Sequence, residues 1–229
     1  PDLVNAGALE PLDAFIDQTE AFLQETAARL EPYVTALGRT PLTLPAKLPR
    51  LTVAEAFRRF GGLDLVDQDP ELAARARRAG FLSPREGDDF ETAFFKVLLE
   101  KIEPGLATLG AAVLTDYPPS QAALATVRGG VAQRFEVYVG RIELSNGFEE
   151  LLDEAANRAR IQEALARRRA LGYDVPPEDA DFYAALRRGL PPCCGNALGF
   201  DRWLALLLGD PGLDAVVPFR GAPLYRRRE

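Results

Sequence analysis

Histidine is absent from the 229 residues of this chain, and its absence restricts the chemistry that the protein can perform. Histidine is the usual general base at neutral pH and the commonest protein ligand of transition metals. Ser-His catalytic triads and zinc chemistry are therefore not expected. Any catalysis must depend on carboxylates, arginines, backbone amides and a hard metal ion.

Cysteine is almost absent, and the only two cysteines, Cys193 and Cys194, are adjacent. This spacing suits neither a disulfide framework nor a zinc site, and it fits a reducing compartment. We therefore interpret both thiols as packing residues rather than nucleophiles. Because no secretory signal is visible either, we expect a cytoplasmic protein.

Long apolar runs and an excess of positive charge are also missing. No run approaches the roughly 20 apolar residues that span a bilayer, so no membrane span is expected. The net charge of −7 argues against a general nucleic-acid surface, because binding to the phosphate backbone requires a positive footprint. The apolar fraction of 47% is enough for a sizeable core.

Helical and alternating patterns occur in an order that predicts an α+β fold with mostly antiparallel strands. The helix over 89–102 is expected to bury a stripe that includes Phe94 and Phe95. Further helices are predicted over 12–30, 52–60, 70–79, 149–171 and 177–188, and after Gly199. Strands are predicted over 111–117, on both sides of a Gly140-Arg141 turn, before Gly199 and over 213–219.

The segment Arg134–Glu150 is the most informative part of the chain, and its period-2 pattern predicts a tight hairpin. If Val139 pairs with Ile142, Glu143 lies opposite Tyr138 and Glu136 lies opposite Ser145. Glu136 and Glu143 then share one face with Cβ atoms roughly 7–8 Å apart. Two such carboxylates suit a hard divalent ion such as Mg²⁺, although a solvated hairpin face with two unrelated glutamates remains an alternative.

The segment Gly195–Gly209 predicts a glycine-spaced strand that leads into a helix. The first turn of that helix has free N–H groups and contains Arg202, which is unfavourable next to the helix dipole unless an anion is nearby. A guanidinium suits phosphate oxygens. The alternative is an ion pair between Arg202 and Asp201 or another acid.

Together the two segments closely resemble class II lysyl-tRNA synthetases. The resemblance is carried by Arg-Phe-Glu at 134–136, Glu-Leu-x-Asn-Gly-Phe at 143–148, and Leu-Pro-Pro-Cys-x-Gly-x-Ala-Leu-Gly-x-Asp-Arg at 190–202. It is strongest to the short paralogues that ligate lysine or β-lysine to elongation factor P, and it covers about Phe90 to Phe219. It implies a single catalytic domain over residues 1–229, with an antiparallel sheet flanked by helices.

The resemblance also implies a role for each matching residue. Glu136 and Glu143 would bind Mg²⁺ and ATP, and Leu144 (through its backbone) and Gly199 would border the adenine nucleotide. Arg202 would contact the terminal phosphates and would form the catalytic pair with Glu143. Asn146 and Glu150 would hold the amino-acid substrate.

The position of Asn146 conflicts with simple strand alternation, which places it on the face opposite Glu136 and Glu143. Asn146 can join the site only if the strand ends or bulges at Asn146-Gly147.

The function implied by the resemblance is ATP-dependent ligation of lysine or β-lysine, through an aminoacyl adenylate, to a lysine of elongation factor P, by a homodimer. Because the chain is acidic and no anticodon-binding domain is visible, tRNA is not the expected acceptor. The alternatives are a non-catalytic paralogue that binds a nucleotide or a partner, and a catalytic fragment of a lysyl-tRNA synthetase.

One family segment does not match. The Phe-Arg-x-Glu hairpin of motif 2 is not found, and roughly a hundred residues of a normal family member are expected to be missing near residues 12–17. Residues 1–11 resemble the end of motif 1, and the chain begins at Pro1 without any methionine. Omitted residues, a truncated chain and a degenerate paralogue are the three explanations.

Overall fold

A six-stranded mixed sheet is the centre of the fold in the computed structural model, which describes residues 12–209 and 212–217. The strand order is β1-β2-β4-β5-β6, and the short β3 pairs with β4. All pairs are antiparallel except β1 with β2. The strands are β1 (Arg50–Thr52), β2 (Ala111–Tyr117), β3 (Val127–Arg128), β4 (Val131–Val139), β5 (Ile142–Glu149) and β6 (Cys194–Leu198).

Helices cover the sheet, so the predicted α+β class is confirmed. None of the described helices is long and apolar enough to cross a membrane. They are α1 (Leu12–Ala36), α2 (Val53–Ala56, continued by a π-helical turn to Gly61), α3 (Leu72–Arg78), α4 (Phe90–Val97, continued by a π-helical turn to Ile102), α5 (Glu103–Ala107), α6 (Glu154–Ala170), α7 (Ala180–Arg188) and α8 (Phe200–Leu207).

Local sequence signals set several helix starts. Thr52 and Glu55 form a capping box at the start of α2: the Glu55 N–H donates to Thr52 Oγ1 at 3.1 Å, and the Thr52 N–H donates to Glu55 Oε2 at 2.8 Å. Asp89 and Asp153 cap α4 and α6 by accepting from backbone N–H groups of the first turn.

Three local predictions were wrong. The helix after the hairpin begins at Glu154, because β5 continues to Glu149 and pairs with β6. Phe95 is 40% exposed whereas Phe94 is fully buried, since neighbouring helix residues point about 100° apart and only one can face the sheet. Leu213–Ala215 form a 3₁₀ turn rather than a strand. Residues 218–219, like the proposed motif 1 segment 1–11, lie outside the described residues.

The two faces of the sheet contact separate hydrophobic cores. On one face, residues such as Leu114 and Tyr138 pack against α2 to α5, where Phe57 and Phe94 stack with ring centroids 5.1 Å apart. The other face contacts α1 and α8: there Phe135, Val137, Val139 and Leu144 of the sheet pack with Leu23, Trp203 and Leu207 of the helices.

The hairpin of β4 and β5 contains a bulge that changes its register. Val139 pairs with Ile142 and Tyr138 with Glu143, as predicted. The next pairs are Val137 with Ser145 and Glu136 with Asn146, so Leu144 has no partner on β4. The prediction that Glu136 lies opposite Ser145 was therefore wrong by one residue.

The bulge resolves the position of Asn146. The extra residue is Leu144, not the predicted Asn146-Gly147 step, and its side chain is 1% exposed in the core shared with α1 and α8. Because one extra residue shifts the alternation, Asn146 lies on the same face as Glu136 and Glu143.

Gly147 is required by close packing. A Cβ atom there would lie 2.6 Å from both Cε1 and Cζ of the Phe135 ring and 2.8 Å from the Gly195 carbonyl oxygen. Since the ring is fully buried and the carbonyl is backbone, neither can move freely. We predict that Gly147→Ala lowers the free energy of unfolding by about 1–3 kcal/mol, measured by urea denaturation. Gly195→Ala is the matched control, because its new Cβ would meet only the mobile end of Glu150. Equal unfolding free energies for Gly147→Ala and the parent chain would contradict this packing argument.

Candidate active site

Glu136 is a buried carboxylate held by three donors on the face of the sheet that it shares with Glu143. The residue is only 5% exposed to solvent. Oε1 accepts from Arg134 Nη2 at 2.6 Å and from Asn146 Nδ2 at 3.2 Å, and Oε2 accepts from the Tyr138 hydroxyl at 2.6 Å. These contacts fix the orientation of the carboxylate and compensate its charge.

Arg134 and Tyr138 were missed at the level of sequence. Arg134 also donates to the Gln121 carbonyl at 2.7 Å, and its guanidinium lies 4.4 Å from the centroid of the Tyr117 ring. A usable signal was present, because both residues lie two positions from Glu136 on a strand and must share its face.

Glu143 is only partly buried, and its carboxylate is less compensated than that of Glu136. Burial raises the pKa of Glu143, and the negative charge of Glu136 raises it further, against the opposing effects of Arg202 and Arg134. The arrangement therefore favours a positive ligand beside Glu143.

Glu103 is a third acid near this pair and was not predicted. It lies in the first turn of α5, and its pKa is raised by burial and then by the charges of Glu136 and Glu143. No sequence pattern links α5 with the hairpin, since only tertiary packing brings them together. Among residues 12–209 and 212–217, no group of three or more acids or cysteines is arranged to hold a metal ion by itself.

Arg202 lies next to the acidic pair, as expected for a shared site. Its Nη1 donates to the backbone carbonyl of Glu143 at 2.6 Å. It forms no ion pair with Asp201 or any other acid in the part of the chain that the structure describes, so its charge is available to an anion.

Gly199 and Leu144 connect α8 with the hairpin. The Gly199 N–H donates to the Leu144 carbonyl at 2.9 Å, while the Leu144 side chain points into the core on the other side of the sheet. A Cβ at Gly199 would lie 3.0 Å from Cδ of Arg202, so glycine leaves room for the arginine to fold back.

Glu150 lies at the end of β5 on the same face as Asn146. It differs from Glu136 because no neighbouring group compensates the charge of its carboxylate in the described part of the chain. Its backbone N–H donates to the Cys193 carbonyl at 3.0 Å. Within the described ranges, its carboxylate has no hydrogen-bond or ion-pair partner, and burial raises its pKa. Oδ1 of Asn146 is buried and also has no hydrogen-bond partner among the described residues. Both groups are therefore available to a polar, cationic ligand.

The packing role predicted for the two cysteines is observed for Cys194. Cys194 packs against the core shared with α1 and α8. Burial raises the pKa of the Cys193 thiol, and the charge of Glu150 raises it further, which makes it a poor nucleophile.

The sequence profile of the tRNA synthetases class II (D, K and N) matches residues 8–222. The chain belongs to the class II tRNA synthetase family. This result confirms the predicted resemblance and the synthetase-like fold, and the match extends beyond the predicted Phe90–Phe219.

Curated relatives of this class II synthetase chain include elongation factor P–(R)-β-lysine ligases from several bacteria. That of Vibrio cholerae is 38% identical over 175 residues, which are 74% of this chain and 54% of the relative. That of Proteus mirabilis is 35% identical over 183 residues, which are 77% of this chain and 55% of the relative. The chain thus spans about half the length of the curated relatives it matches.

The ion pair of Arg134 with Glu136 is buried on both sides, with side chains 13% and 6% exposed. We predict that Arg134→Met destabilises this class II chain by about 3 kcal/mol, because it leaves a buried carboxylate without its cation. The Arg134→Met/Glu136→Leu double variant should recover part of that loss in urea denaturation, because it removes the unpaired charge but leaves the Tyr138 hydroxyl and the Asn146 amide without their acceptor.

Arg29→Met is the control for that experiment, since Arg29 forms an exposed pair with Glu25 and should contribute little. A double variant no more stable than Arg134→Met would contradict the assigned role of the pair.

Burial of the unpaired Glu150 predicts a pH-dependent stability. Burial raises the pKa of Glu150 in the folded state, so the folded chain is more stable when this carboxyl is protonated. That stability is lost as the pH rises through the pKa of the folded state. Glu150→Gln should therefore raise the thermal midpoint at pH 7 by roughly 1–3 °C, a small effect because the group is partly solvated.

The gain should disappear near pH 4, where the parent carboxyl is protonated, as followed by circular dichroism. The exposed Glu25→Gln variant should change the midpoint at neither pH. A loss of stability in Glu150→Gln at pH 7 would show that Glu150 has a structural partner.

Proposed function

We propose that this chain is an ATP-dependent aminoacyl ligase that transfers lysine or β-lysine, through an aminoacyl adenylate, to a lysine side chain of elongation factor P. One observation carries the proposal. Arg202, which has no acidic partner among the described residues, donates to the backbone of Glu143 beside the carboxylate pair, and Glu150, a carboxylate without a cationic partner there, lies at the end of the strand that carries Glu143. This arrangement has complementary charges for a triphosphate and for an ammonium group. The names of the similar ligases support the choice of substrates.

The nucleotide would lie over Glu143, Arg202 and Gly199. The Leu144 backbone and Gly199 would border the adenine, and Arg202 would contact the terminal phosphates. Glu136 and Glu143 would hold Mg²⁺, which commonly takes one or two carboxylates together with substrate phosphates and water. Glu136 already accepts three of the roughly four hydrogen bonds open to a carboxylate, whereas Glu143 has more free capacity. When bound, Mg²⁺ would neutralise charge on the phosphate oxygens.

The amino acid would be held at Glu150 and Asn146. The Glu150 carboxylate would pair with an ammonium group, and the free Oδ1 of Asn146 would accept a second hydrogen bond. Partial burial strengthens such a pair relative to one in open solvent.

The reaction requires two displacements. A carboxylate oxygen of the amino acid attacks the α-phosphorus of ATP, the bond from that phosphorus to the bridging oxygen breaks, and pyrophosphate leaves with its charge stabilised by Arg202. The neutral amine of the acceptor lysine then attacks the carbonyl carbon, AMP leaves, and the amine loses its proton to solvent. The side chains contribute positioning and charge stabilisation, so histidine is not required.

The remaining parts of the proposal concern the partners. We propose a protein lysine rather than tRNA as acceptor, because the chain has a net charge of −7. We also propose a homodimer and a single catalytic domain, supported by the family resemblance, and a cytoplasmic location, supported by the cysteine usage.

ATP–pyrophosphate exchange tests the first half-reaction. We predict lysine- or β-lysine-dependent exchange by the parent chain and its loss, by more than about 100-fold, in Arg202→Ala and in Glu143→Ala, since each removes charge stabilisation at the phosphates. Arg29→Ala and Glu25→Ala, which alter an exposed pair on α1, are the controls and should retain full exchange.

Transfer of radiolabelled amino acid to purified elongation factor P, with tRNA in a parallel reaction, tests the acceptor. Normal exchange in both site variants would rule out the mechanism. ATP binding without any exchange would favour a non-catalytic nucleotide-binding paralogue, and transfer to tRNA would favour a lysyl-tRNA synthetase fragment.

A further inference from the structure

The face of β6 next to Glu150 is formed by small residues. Gly195 pairs with Phe148 and Ala197 pairs with Asn146, and cross-strand partners project from the same face of a sheet. Gly195 and Ala197 therefore lie on the face that holds the proposed amino-acid site. Glu150 extends from the end of β5 over Gly195.

Gly195 leaves the space that the Glu150 carboxylate occupies. A Cβ atom at position 195 would overlap Oε1 of Glu150 and would lie 3.3 Å from its Cδ and 3.9 Å from its Cγ. The three atoms nearest to that Cβ position, apart from those of the immediate chain neighbours, all belong to Glu150. Any side chain at position 195 therefore displaces this one carboxylate.

The backbone does not explain the glycine. Gly195 lies inside a paired strand and has no left-handed φ angle, unlike Gly140 in the hairpin turn and Gly189 at the end of α7. Glycine inside a strand weakens it and commonly marks a close approach of another group. Here the close approach is that of the Glu150 carboxylate.

The space left at position 195 has a large influence on where the Glu150 carboxylate lies, because no specific contact with the described residues holds that carboxylate. In the described part of the chain it has neither a hydrogen-bond donor nor a cation as partner, whereas Glu136 has three donors. We infer that Gly195 is a positioning residue that sets where the Glu150 carboxylate lies, and with it the distance at which the site accepts the ammonium group of a lysine-type substrate. This inference rests on the proposed function.

Gly195→Ala should act on the site and not on the fold. The new methyl group meets the far end of a flexible side chain, which can rotate away at little cost. At Gly147, by contrast, the corresponding contacts are a buried ring and a backbone carbonyl. The displaced carboxylate should pair less well with the substrate, and binding of ATP should not change.

Steady-state exchange kinetics on the full chain test this inference with four proteins: the parent, Gly195→Ala, Glu150→Asp and the Gly195→Ala/Glu150→Asp double variant. We expect Gly195→Ala to raise the KM for lysine or β-lysine about tenfold or more, as for the loss of one charged hydrogen bond, with the KM for ATP within about twofold of the parent value. Aspartate is one methylene shorter and withdraws from position 195. The factor by which the double variant raises the KM for the amino acid should therefore be smaller than the product of the factors for the two single variants.

An unchanged amino-acid KM in Gly195→Ala would overturn the inference, as would strictly multiplicative effects in the double variant. Crystal structures of the parent and of Gly195→Ala give a readout that does not depend on activity. A displaced Glu150 carboxylate on an unchanged strand supports the positioning role, and an unmoved carboxylate overturns it. Failure of the parent chain to catalyse exchange with lysine or β-lysine would instead count against the proposed function, and the two failures are thus distinguishable.

Discussion

The extra residue in the central hairpin, Leu144, is the constraint on which the site depends. Without it, strict alternation would place Asn146 on the face that packs against α1 and α8, beside Phe135 and Val137. Burial of the Leu144 side chain in that core holds the bulge in place. One apolar contact on one side of the sheet thus determines which polar groups meet on the other side.

Charge compensation along this face is uneven: it is complete at Glu136 and incomplete at Glu143 and Glu150. Glu136 accepts hydrogen bonds from Arg134, Tyr138 and Asn146, so it contributes to the order of the folded chain. Glu143 and Glu150 have raised pKa values because burial is not offset by equivalent contacts. Such perturbed groups reduce stability, and perturbed groups of this kind are commoner at functional sites, which is why the proposed ligands are placed beside them.

The glycines near the site serve different physical purposes, which a sequence pattern does not distinguish. Gly147 accommodates the Phe135 ring and a neighbouring backbone carbonyl, so it belongs to the packing of the sheet. Gly199 leaves room for the Arg202 side chain, and Gly195 leaves room for the Glu150 carboxylate. All are close approaches, but only the last two involve side chains of the proposed site.

The sequence by itself determined the family, the α+β class, the hairpin turn and the pairing of Tyr138 with Glu143. These follow from local signals: capping residues, turn glycines, period-2 alternation and the order of matching motifs. It did not determine the register beyond Glu143, the exposure of Phe95 or the end of the second hairpin strand. Tertiary structure alone decided that Leu144 is the extra residue, that Glu103 approaches the acidic pair, and that Glu150 lies over Gly195. The physical reason is that each of these depends on packing between segments distant in the chain or on different strands, and local preferences carry no information about such contacts.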